Sequence, residues 1–376
     1  MIHWVAAIHE GAIVKNVKIL GRVSKEAPDV LFWTGSRYEM NVRAANLTVH
    51  IEAAYGMQEQ WIAVVINGAL LCRMPLLRGD NEVIIFRNRN AEETKNVRIL
   101  KEVQPMPGDG AGYIRLTSVE TDGTLEPIDE PKCRLQFIGD SITSGEGGIG
   151  ANAEMDWVAQ LFSGYDNYAY KTAEALSADY QVVSQSGWGV YCGYNNDIHS
   201  NVPGIYEQVC SLVNVEGKSV FGSLEPYDFE AFQPDVVVIN LGTNDSGACN
   251  AEAYTDPETG KTYKLAKGED GCLDAASAAA FDGAVRGFLA KLRSCHPQAY
   301  LLWVYGMLGT DMEEPILAAI RAYREESRDD HVDYLRLPDT KPGMFGSRWH
   351  PGHPAHESAA EVLTARIREI LPGLAE

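Results

Sequence analysis

The chain has 376 residues, and its hydrophobic fraction of 45% is ordinary for a globular protein. A chain of this length is expected to form two domains, because single hydrophobic cores stop growing near ~250–300 residues. The formal net charge of −20 argues against nucleic acid and anionic membrane surfaces as partners, since both are negatively charged themselves.

The N-terminal stretch lacks the features of a secretory signal. No Lys or Arg precedes Lys15, and the residues before it contain no long apolar run. No stretch of the chain reaches the ~18 apolar residues that cross a membrane. We therefore expect a cytoplasmic protein that does not act at a membrane.

The seven cysteines are odd in number and scattered, and none belongs to a Cys-x-x-Cys motif. This pattern favours reduced structural thiols. Cys249 and Cys272 flank a polar insertion at residues 250–272, so a bridge between them stays open for an exported protein.

Residues 1–125 have the pattern of a β domain. Apolar Leu47, Val49 and Ile51 alternate with polar residues, as in a half-buried strand. Predicted strands at residues 61–66 and 70–71 flank Asn67-Gly68, which predicts a hairpin. Further strands are predicted at residues 83–86 and 113–119. Many short strands separated by turns predict a β-sandwich, and we expect it to be jelly-roll-like.

Residues 126–131 (EPIDEP) form a predicted linker, and the pattern changes after it. Strands are predicted at residues 134–138, 180–184, 236–239 and 301–304, and helices at 168–177, 281–292, 316–323 and 363–370. Alternating strands and helices predict a doubly wound α/β domain over residues 126–376. In such sheets the active site lies at the carboxyl ends of the strands.

A serine follows the first predicted strand of this second domain. The run FIGDSIT at residues 137–143 places Ser141 just beyond the strand end, where its hydroxyl can be presented for chemistry. The alternative is a serine that caps a turn. Because serine is a poor nucleophile on its own, a catalytic Ser141 requires a nearby base.

Three companion motifs follow in chain order. Ser186-Gly187 comes after the second predicted strand, the run LGTND at residues 241–245 ends an apolar strand, and Trp349-His350-Pro351 precedes the last predicted helix. Serine, glycine, asparagine and histidine in this order resemble the four blocks of the SGNH hydrolases. The resemblance implies that Ser141 is the nucleophile and that His350 is the general base.

The same resemblance implies an oxyanion hole formed by the backbone N–H of Ser141, the backbone N–H of Gly187 and the side-chain amide of Asn244. Such donors stabilise the negative charge of a tetrahedral intermediate. Gly189 is an alternative to Gly187. Gly187 as a loop glycine and Asn244 as a turn residue are the structural alternatives.

One position departs from the family pattern. Many SGNH enzymes carry an aspartate three residues before the histidine, and Ser347 occupies that position here. A Ser141–His350 dyad is therefore expected. A backbone carbonyl near Trp349 is the expected acceptor for the imidazole N–H, and the Ser347 hydroxyl is a weaker alternative.

His350, His353 and His356 are spaced by three residues, which raises the question of a metal site. Pro351 and Pro354 interrupt any single helix carrying all three, and no carboxylate or cysteine joins them at ligand spacing. No metal or organic cofactor is therefore expected. His356 is expected to pack or to form a hydrogen bond at the start of the helix.

Aromatic residues accompany the motifs, and Trp188, Tyr191 and Trp349 are the candidate substrate-binding residues among them. Aromatic faces suit stacking on sugar rings, and core packing is the alternative. Asp140, directly before Ser141, is expected to hydrogen-bond the surrounding loop.

A β-sandwich before an SGNH domain resembles carbohydrate esterase family 2, whose members are similar to acetyl xylan esterases. The resemblance implies a serine esterase that removes O-acetyl groups from acetylated xylan or related plant-polysaccharide fragments through an acyl-enzyme. An acetylated oligosaccharide is then the expected partner, and a homo-oligomer is left open. Two alternatives are an SGNH lipase or thioesterase, and a carbohydrate-binding protein with a relic site.

Overall fold

The computed structural model describes residues 16–374. The N-terminal residues that bear on secretion lie outside this range, so the expected cytoplasmic location stays a prediction. Within residues 16–374, no helix combines the length and the apolar character needed to cross a membrane.

The chain divides into two compact units, and each is discontinuous in sequence. The first runs to Pro131 and also includes Asp156–Tyr165 and Gln208–Tyr227. The second comprises Lys132–Met155, Asp166–Glu207 and the chain from Asp228 onward. The division predicted at residue 125 assigned one continuous range to each domain, and a sequence pattern cannot show that two later segments return to the first unit.

The first unit contains two antiparallel sheets. One has the order β1-β3-β8-β5-β6 with β10 also paired to β3, and the other has the order β2-β9-β4-β7. The strands are β1 (Val17–Leu20), β2 (Val30–Leu31), β3 (Arg37–Arg43), β4 (Leu47–Ala54), β5 (Trp61–Ile66), β6 (Ala69–Pro75), β7 (Gly79–Phe86), β8 (Thr94–Lys101), β9 (Tyr113–Thr121) and β10 (Thr124–Glu126).

Strand β4 shows how the sequence produces these sheets. Its residues alternate between buried and half-buried, as the apolar-polar alternation predicts. Apolar residues from both sheets form one core cluster, which includes Met40, Val49, Ile99 and Leu116. The predicted hairpin between β5 and β6 is confirmed, and Asn67 and Gly68 both have positive φ angles, as a tight hairpin turn requires.

The later segments of the first unit add small elements. They are the short 3₁₀ helix Ala159–Leu161 and the hairpin of β13 (Asn214–Val215) with β14 (Lys218–Ser219). Trp33 Nε1 donates a 2.7 Å hydrogen bond to the Val209 carbonyl, which anchors the second of these segments inside the unit.

The second unit is built on a five-stranded parallel sheet with the order β12-β11-β15-β18-β19. Its strands are β11 (Cys133–Gly139), β12 (Ala178–Ser184), β15 (Val236–Asn240), β18 (Tyr300–Gly306) and β19 (Val332–Leu337), and a separate small hairpin pairs β16 (Tyr254–Thr255) with β17 (Thr262–Tyr263). Every residue of β12 and β15 is buried, as expected for strands of a parallel sheet that is covered on both faces.

Two pairs of helices contact this sheet, α2 with α6 and α4 with α5. The helices are α1 (Ser141–Ser144), α2 (Tyr168–Leu176), α3 (Thr243–Ala248), α4 (Ala275–Cys295), α5 (Glu313–Ser327) and α6 (His353–Ile370), and the short 3₁₀ helices of this unit are Val202–Gly204, Phe229–Ala231, Ser347–Trp349 and Pro372–Leu374. The predicted alternation of strands and helices is confirmed, although β19 was not recognised from the sequence.

The strand order places the sequence motifs together. The connection after β11 leads to β12 on one side, whereas the connection after β15 leads to β18 on the other, so the direction of the connections changes between β11 and β15. Gly139 pairs in register with Ser184 on one side and with Asn240 on the other. The segments that follow these three residues, which carry Ser141, Gly187 and Asn244, therefore begin at one edge of the sheet.

Candidate active site

Ser141 is the first residue of the one-turn helix α1, directly beyond β11 and Asp140. Oδ1 of Asp140 accepts a 3.0 Å hydrogen bond from the N–H of Ile142, so Asp140 caps this helix as the sequence predicts. The turn is tight, since a Cβ at Gly139 would lie only 2.0 Å from Oγ1 of Thr143. The capped turn fixes Ser141, whose exposed fraction is 6%.

His350 lies against Ser141. Its Nε2 is 3.1 Å from Oγ of Ser141, and its Nδ1 is 3.0 Å from the carbonyl oxygen of Arg348. When Nδ1 carries the proton and donates it to this carbonyl, Nε2 is left as an acceptor for the serine hydroxyl. The predicted backbone carbonyl near Trp349 is thus that of Arg348.

Ser347 does not take the place of an aspartate. Its side chain is buried, and its hydroxyl oxygen has no hydrogen-bond partner in the part of the chain that the structure describes. The geometry therefore supports the expectation that the Arg348 carbonyl, rather than the Ser347 hydroxyl, orients His350.

The loop before His350 has an unusual backbone. Arg348 and Trp349 have φ angles of 56° and 58°, in the left-handed region that is costly for residues with side chains. Hydrogen bonds compensate, because the Arg348 N–H donates to the Glu154 carbonyl at 2.8 Å and the Arg348 guanidinium donates to the Met155 carbonyl at 2.8 Å. This conformation turns the Arg348 carbonyl towards the imidazole.

Gly147 brings the serine and histidine loops into direct contact. Its φ angle is 70°, and a Cβ there would lie 2.4 Å from the Ser347 carbonyl oxygen and 2.6 Å from Cβ of His350. Only glycine permits this backbone approach.

The three predicted oxyanion donors differ in their present partners. Among residues 16–374, neither the N–H of Ser141 nor that of Gly187 donates to a protein acceptor. Nδ2 of Asn244 donates to the Trp188 carbonyl at 2.9 Å and to Oδ2 of Asp140 at 3.2 Å. Donation from Asn244 to an intermediate therefore requires one of these bonds to be shared, and the longer bond to Asp140 is the weaker of the two.

Two buried carboxyl groups support this arrangement. Burial raises the pKa of Asp140 to about 7 and that of Asp245 to about 6. Asp245 accepts hydrogen bonds from the N–H groups of Val190, Tyr191 and Cys192 at 2.9, 2.8 and 3.2 Å. It thereby ties the segment after Gly187 to helix α3, next to Asn244.

Gly189, the alternative to Gly187, packs against this carboxyl group. A Cβ at Gly189 would lie 2.2 Å from Oδ2 of Asp245, so close approach explains this glycine. Gly187 has a φ angle of 81°, and a Cβ there would lie 3.2 Å from the ring of Tyr194. These contacts explain why both positions carry glycine, and the choice of Gly187 as the oxyanion donor stays a prediction.

The three spaced histidines have three separate environments. Nδ1 of His353 contacts Asp166 at 2.6 Å, whereas buried His356 accepts a 3.3 Å hydrogen bond at Nδ1 from the N–H of Tyr168. Burial lowers the pKa of His356 to about 3, so its imidazole is neutral at physiological pH. No cluster of three or more metal-ligating side chains occurs between residues 16 and 374.

The candidate aromatic residues differ in exposure. Trp349, next to His350, is 56% exposed and makes an edge contact with Phe345 at a ring-centroid distance of 5.9 Å. Trp188 and Tyr191 are half-buried. Of these three residues, Trp349 is the most accessible to a ligand.

Glu146, Arg348 and Asp245 also lie around the site, although the sequence motifs predict no role for them. Asp245 directly follows Asn244, so its motif was the available signal. Glu146 is an isolated charged residue in the run GEGG at residues 145–148, and Arg348 directly precedes Trp349. Nothing in the sequence links these two residues to each other, because they are 202 positions apart.

The seven cysteines, including Cys249 and Cys272, are all free thiols in the structure.

Comparison with known proteins shows similarity over most of the chain. The model of the GDSL-like Lipase/Acylhydrolase family matches residues 137–357, more than half of the chain. The solved structure of an acetyl xylan esterase from the rumen bacterium Butyrivibrio proteoclasticus is similar with a TM-score of 0.94 and 37% identity, covering 99% of this chain and 100% of that one.

Two further comparisons extend this picture. The structure of a family two carbohydrate esterase from Clostridium thermocellum has a TM-score of 0.77 at 23% identity over 95% of this chain and 99% of that one, which is a likeness of fold. The cellulase/esterase CelE of Acetivibrio thermocellus is 24% identical over 359 residues, which cover 90% of this chain. The matched region spans only 37% of the length of CelE.

Proposed function

The chain belongs to the GDSL-like lipase/acylhydrolase family, and on this basis we propose that it is a serine esterase that removes O-acetyl groups from acetylated xylan or related plant-polysaccharide fragments. The contact between Oγ of Ser141 and Nε2 of His350 carries the proposal, because it pairs a nucleophile with its base. The likeness to an acetyl xylan esterase at 37% identity supports the substrate class.

Acylation begins with Ser141. Its Oγ attacks the carbonyl carbon of the acetyl group while Nε2 of His350 takes the hydroxyl proton. The carbonyl oxygen gains negative charge, and the N–H groups of Ser141 and Gly187 and the amide of Asn244 donate hydrogen bonds to it. The intermediate then collapses, the bond to the sugar oxygen breaks, and the imidazolium returns its proton to the leaving sugar hydroxyl.

Deacylation repeats the same steps with water. His350 removes a proton from a water molecule as it attacks the acetyl-serine, and the same three donors bind the second oxyanion. Collapse breaks the bond to Oγ, Ser141 recovers its proton from His350, and acetate leaves. Each step uses this chain's own residues, so the mechanism calls for no metal or organic cofactor.

Trp349 is proposed to contact the sugar. Its exposed indole beside His350 presents an aromatic face where the leaving sugar would lie, and aromatic faces stack on sugar rings. Half-buried Trp188 and Tyr191 are secondary candidates, since each also contributes a backbone group to the arrangement around Asn244 and Asp245.

The first unit is proposed to be a jelly-roll-like sandwich. The apolar residues that the two antiparallel sheets contribute to one cluster support a jelly-roll-like β-sandwich in the first unit, and the four motifs on the parallel sheet support an SGNH hydrolase domain in the second. A cytoplasmic location, the absence of nucleic-acid and membrane partners, and the oligomeric state stay predictions from the sequence.

Acetate release from acetylated oligosaccharides tests the proposal. The protein would be incubated with a panel of acetylated xylan and mannan oligomers, and acetate would be measured over time. Parallel rates on acetyl and octanoyl nitrophenyl esters distinguish a deacetylase from a lipase or thioesterase. We expect acetate release and a preference for the acetyl ester, and a preference for octanoyl would contradict the proposal.

A further inference from the structure

The environment of His350 contains an ion pair with no assigned role. Oε1 of Glu146 lies 2.9 Å from Nε of Arg348 and 3.8 Å from Nε2 of His350. The Glu146 side chain is only 4% exposed, and that of Arg348 is 31% exposed. A carboxylate so deeply buried requires a partner, and the guanidinium supplies it.

The Glu146–Arg348 pair contacts both candidate catalytic residues. The Glu146 N–H donates a 3.0 Å hydrogen bond to the Ser141 carbonyl, so Glu146 is fixed to the nucleophile's own helix. At the other end, the Arg348 carbonyl faces Nδ1 of His350 at 3.0 Å. The Glu146–Arg348 ion pair therefore links the backbone of Ser141 to the carbonyl group that orients His350.

The Glu146 carboxylate lies close to the imidazole nitrogen that receives the proton. During acylation a proton arrives at Nε2 of His350, the nitrogen that lies 3.8 Å from the Glu146 carboxylate. An opposite charge at this distance favours the imidazolium, and a positive charge disfavours it. The Arg348 guanidinium, whose Nε lies 2.9 Å from Oε1 of Glu146, partly offsets this negative charge.

Other titratable groups near His350 do not provide this balance. On α6, His356 interacts with both His350 and His353, but His356 is neutral and His353 pairs with Asp166. Asp140 lies beyond Glu146 and interacts with it.

We propose that Glu146 and Arg348 are a positioning pair that replaces the aspartate of a Ser-His-Asp triad, with Arg348 holding the carbonyl that orients His350 and Glu146 stabilising the imidazolium from the Nε2 side. The inference rests on the proposed function, because it assumes that His350 transfers the proton. In a triad the aspartate performs both tasks at Nδ1. Here the two tasks are divided between two residues and two sides of the ring.

Charge-neutral variants of each partner test the pair. Glu146→Gln keeps the size of the side chain and an oxygen for Arg348, but it removes the negative charge. Arg348→Gln removes the positive charge and leaves the carboxylate alone with His350. The double variant removes both charges, and Glu357→Gln, which alters an exposed carboxylate on α6 beside His353, is the matched control.

The titration of His350 is the primary readout, followed by NMR of ¹⁵N-histidine-labelled protein and assigned with His350→Gln. We expect the titration midpoint to fall by about one pH unit in Glu146→Gln and to rise in Arg348→Gln. The double variant should lie near the wild type, and Glu357→Gln should match it. The acidic limb of the kcat/KM profile should move in the same directions, with kcat in Glu146→Gln reduced about tenfold.

Opposite shifts separate this role from a merely structural one, since loosening of the loop would lower activity without moving the midpoint in two directions. Equal midpoints in all folded variants would overturn the inference. Equal midpoints in a wild type that hydrolyses esters, and that loses this activity with Ser141→Ala, would overturn the role of the pair and leave the proposed function standing. Opposite shifts in a protein without ester hydrolysis would support the pair and refute the proposed function.

Discussion

Nε2 of His350 lies 3.1 Å from Oγ of Ser141, although the two residues are 209 positions apart in the chain. The serine is fixed by the capped turn beyond β11, and the histidine by a loop with two consecutive left-handed residues. The two loops touch through the backbone of Gly147. The contact thus depends on a close backbone approach as well as on the side chains.

Gly147→Ala should separate the two catalytic groups. The new methyl group would lie 2.4 Å from the Ser347 carbonyl oxygen and 2.6 Å from Cβ of His350, in a backbone conformation that alanine disfavours. We expect kcat/KM to fall at least about a hundredfold, since a displacement of about 1 Å can have that effect. Gly217→Ala, at a glycine with a similar φ angle and open space around its Cβ, is the control for backbone strain. Equal activity of the two variants would show that the approach at Gly147 is not required.

Asn244→Ala should lower kcat by roughly 10²–10³-fold, the cost of removing one oxyanion donor. KM should change little, because the hydrogen bond strengthens in the transition state. Steady-state kinetics on an acetyl ester measure both parameters, and the exposed Asn250→Ala serves as the control. A normal kcat with a much higher KM would mean that Asn244 binds the substrate instead.

Ser347→Ala should have almost no effect on kcat/KM. The Ser347 hydroxyl has no partner in the described structure, and the Arg348 carbonyl already accepts the imidazole N–H. His350→Ala, assayed in parallel, should be nearly inactive. A rate loss in Ser347→Ala close to that of His350→Ala, at unchanged thermal stability, would make Ser347 the third catalytic residue.

Buried His356 should make the stability of the protein depend on pH. Burial lowers its pKa to about 3, whereas histidine in an unfolded chain has a pKa near ~6.5. A group whose pKa is lowered on folding favours the folded state above the unfolded pKa, and this contribution is lost as pH falls from about 6.5 towards 3. For one such histidine the loss is on the order of 2 kcal/mol at pH 5.

His356→Gln should therefore be less sensitive to acid than the wild type. Glutamine can still accept the hydrogen bond from the Tyr168 N–H but does not titrate. We expect the thermal midpoint to fall less between pH 7 and pH 5 in His356→Gln than in the wild type. His331→Gln, which replaces an exposed histidine elsewhere in the second unit, is the control for the loss of an imidazole. The same slope in all three proteins would show that His356 does not carry the effect.

The sequence predicts the core of the site because parallel strands align their motifs. Ser141, Gly187 and Asn244 each follow a strand whose apolar run is visible, and parallel strands bring those ends to one edge. The position of His350 before the last predicted helix indicates that it is the histidine of the fourth motif. These predictions needed only local patterns and the strand order that such patterns imply.

The remaining features depend on contacts between distant residues. Glu146 and Arg348 are 202 positions apart, and neither belongs to a local motif that distinguishes it from other charged residues. The return of residues 208–227 to the first unit rests on contacts such as Trp33 with Val209, which leave no periodic signal. The sequence pattern does not predict strand β19, because polar residues interrupt its apolar run, VDYLRL.

Ser141→Ala tests the central claim most directly. Acetate release from acetylated xylan oligomers would be measured for the wild type and for Ser141→Ala, with circular dichroism to confirm that the variant is folded. The account predicts that the rate falls by on the order of 10⁶, the loss that follows removal of a nucleophile from a catalytic unit. A folded Ser141→Ala variant that retains more than about a tenth of the wild-type rate would contradict it.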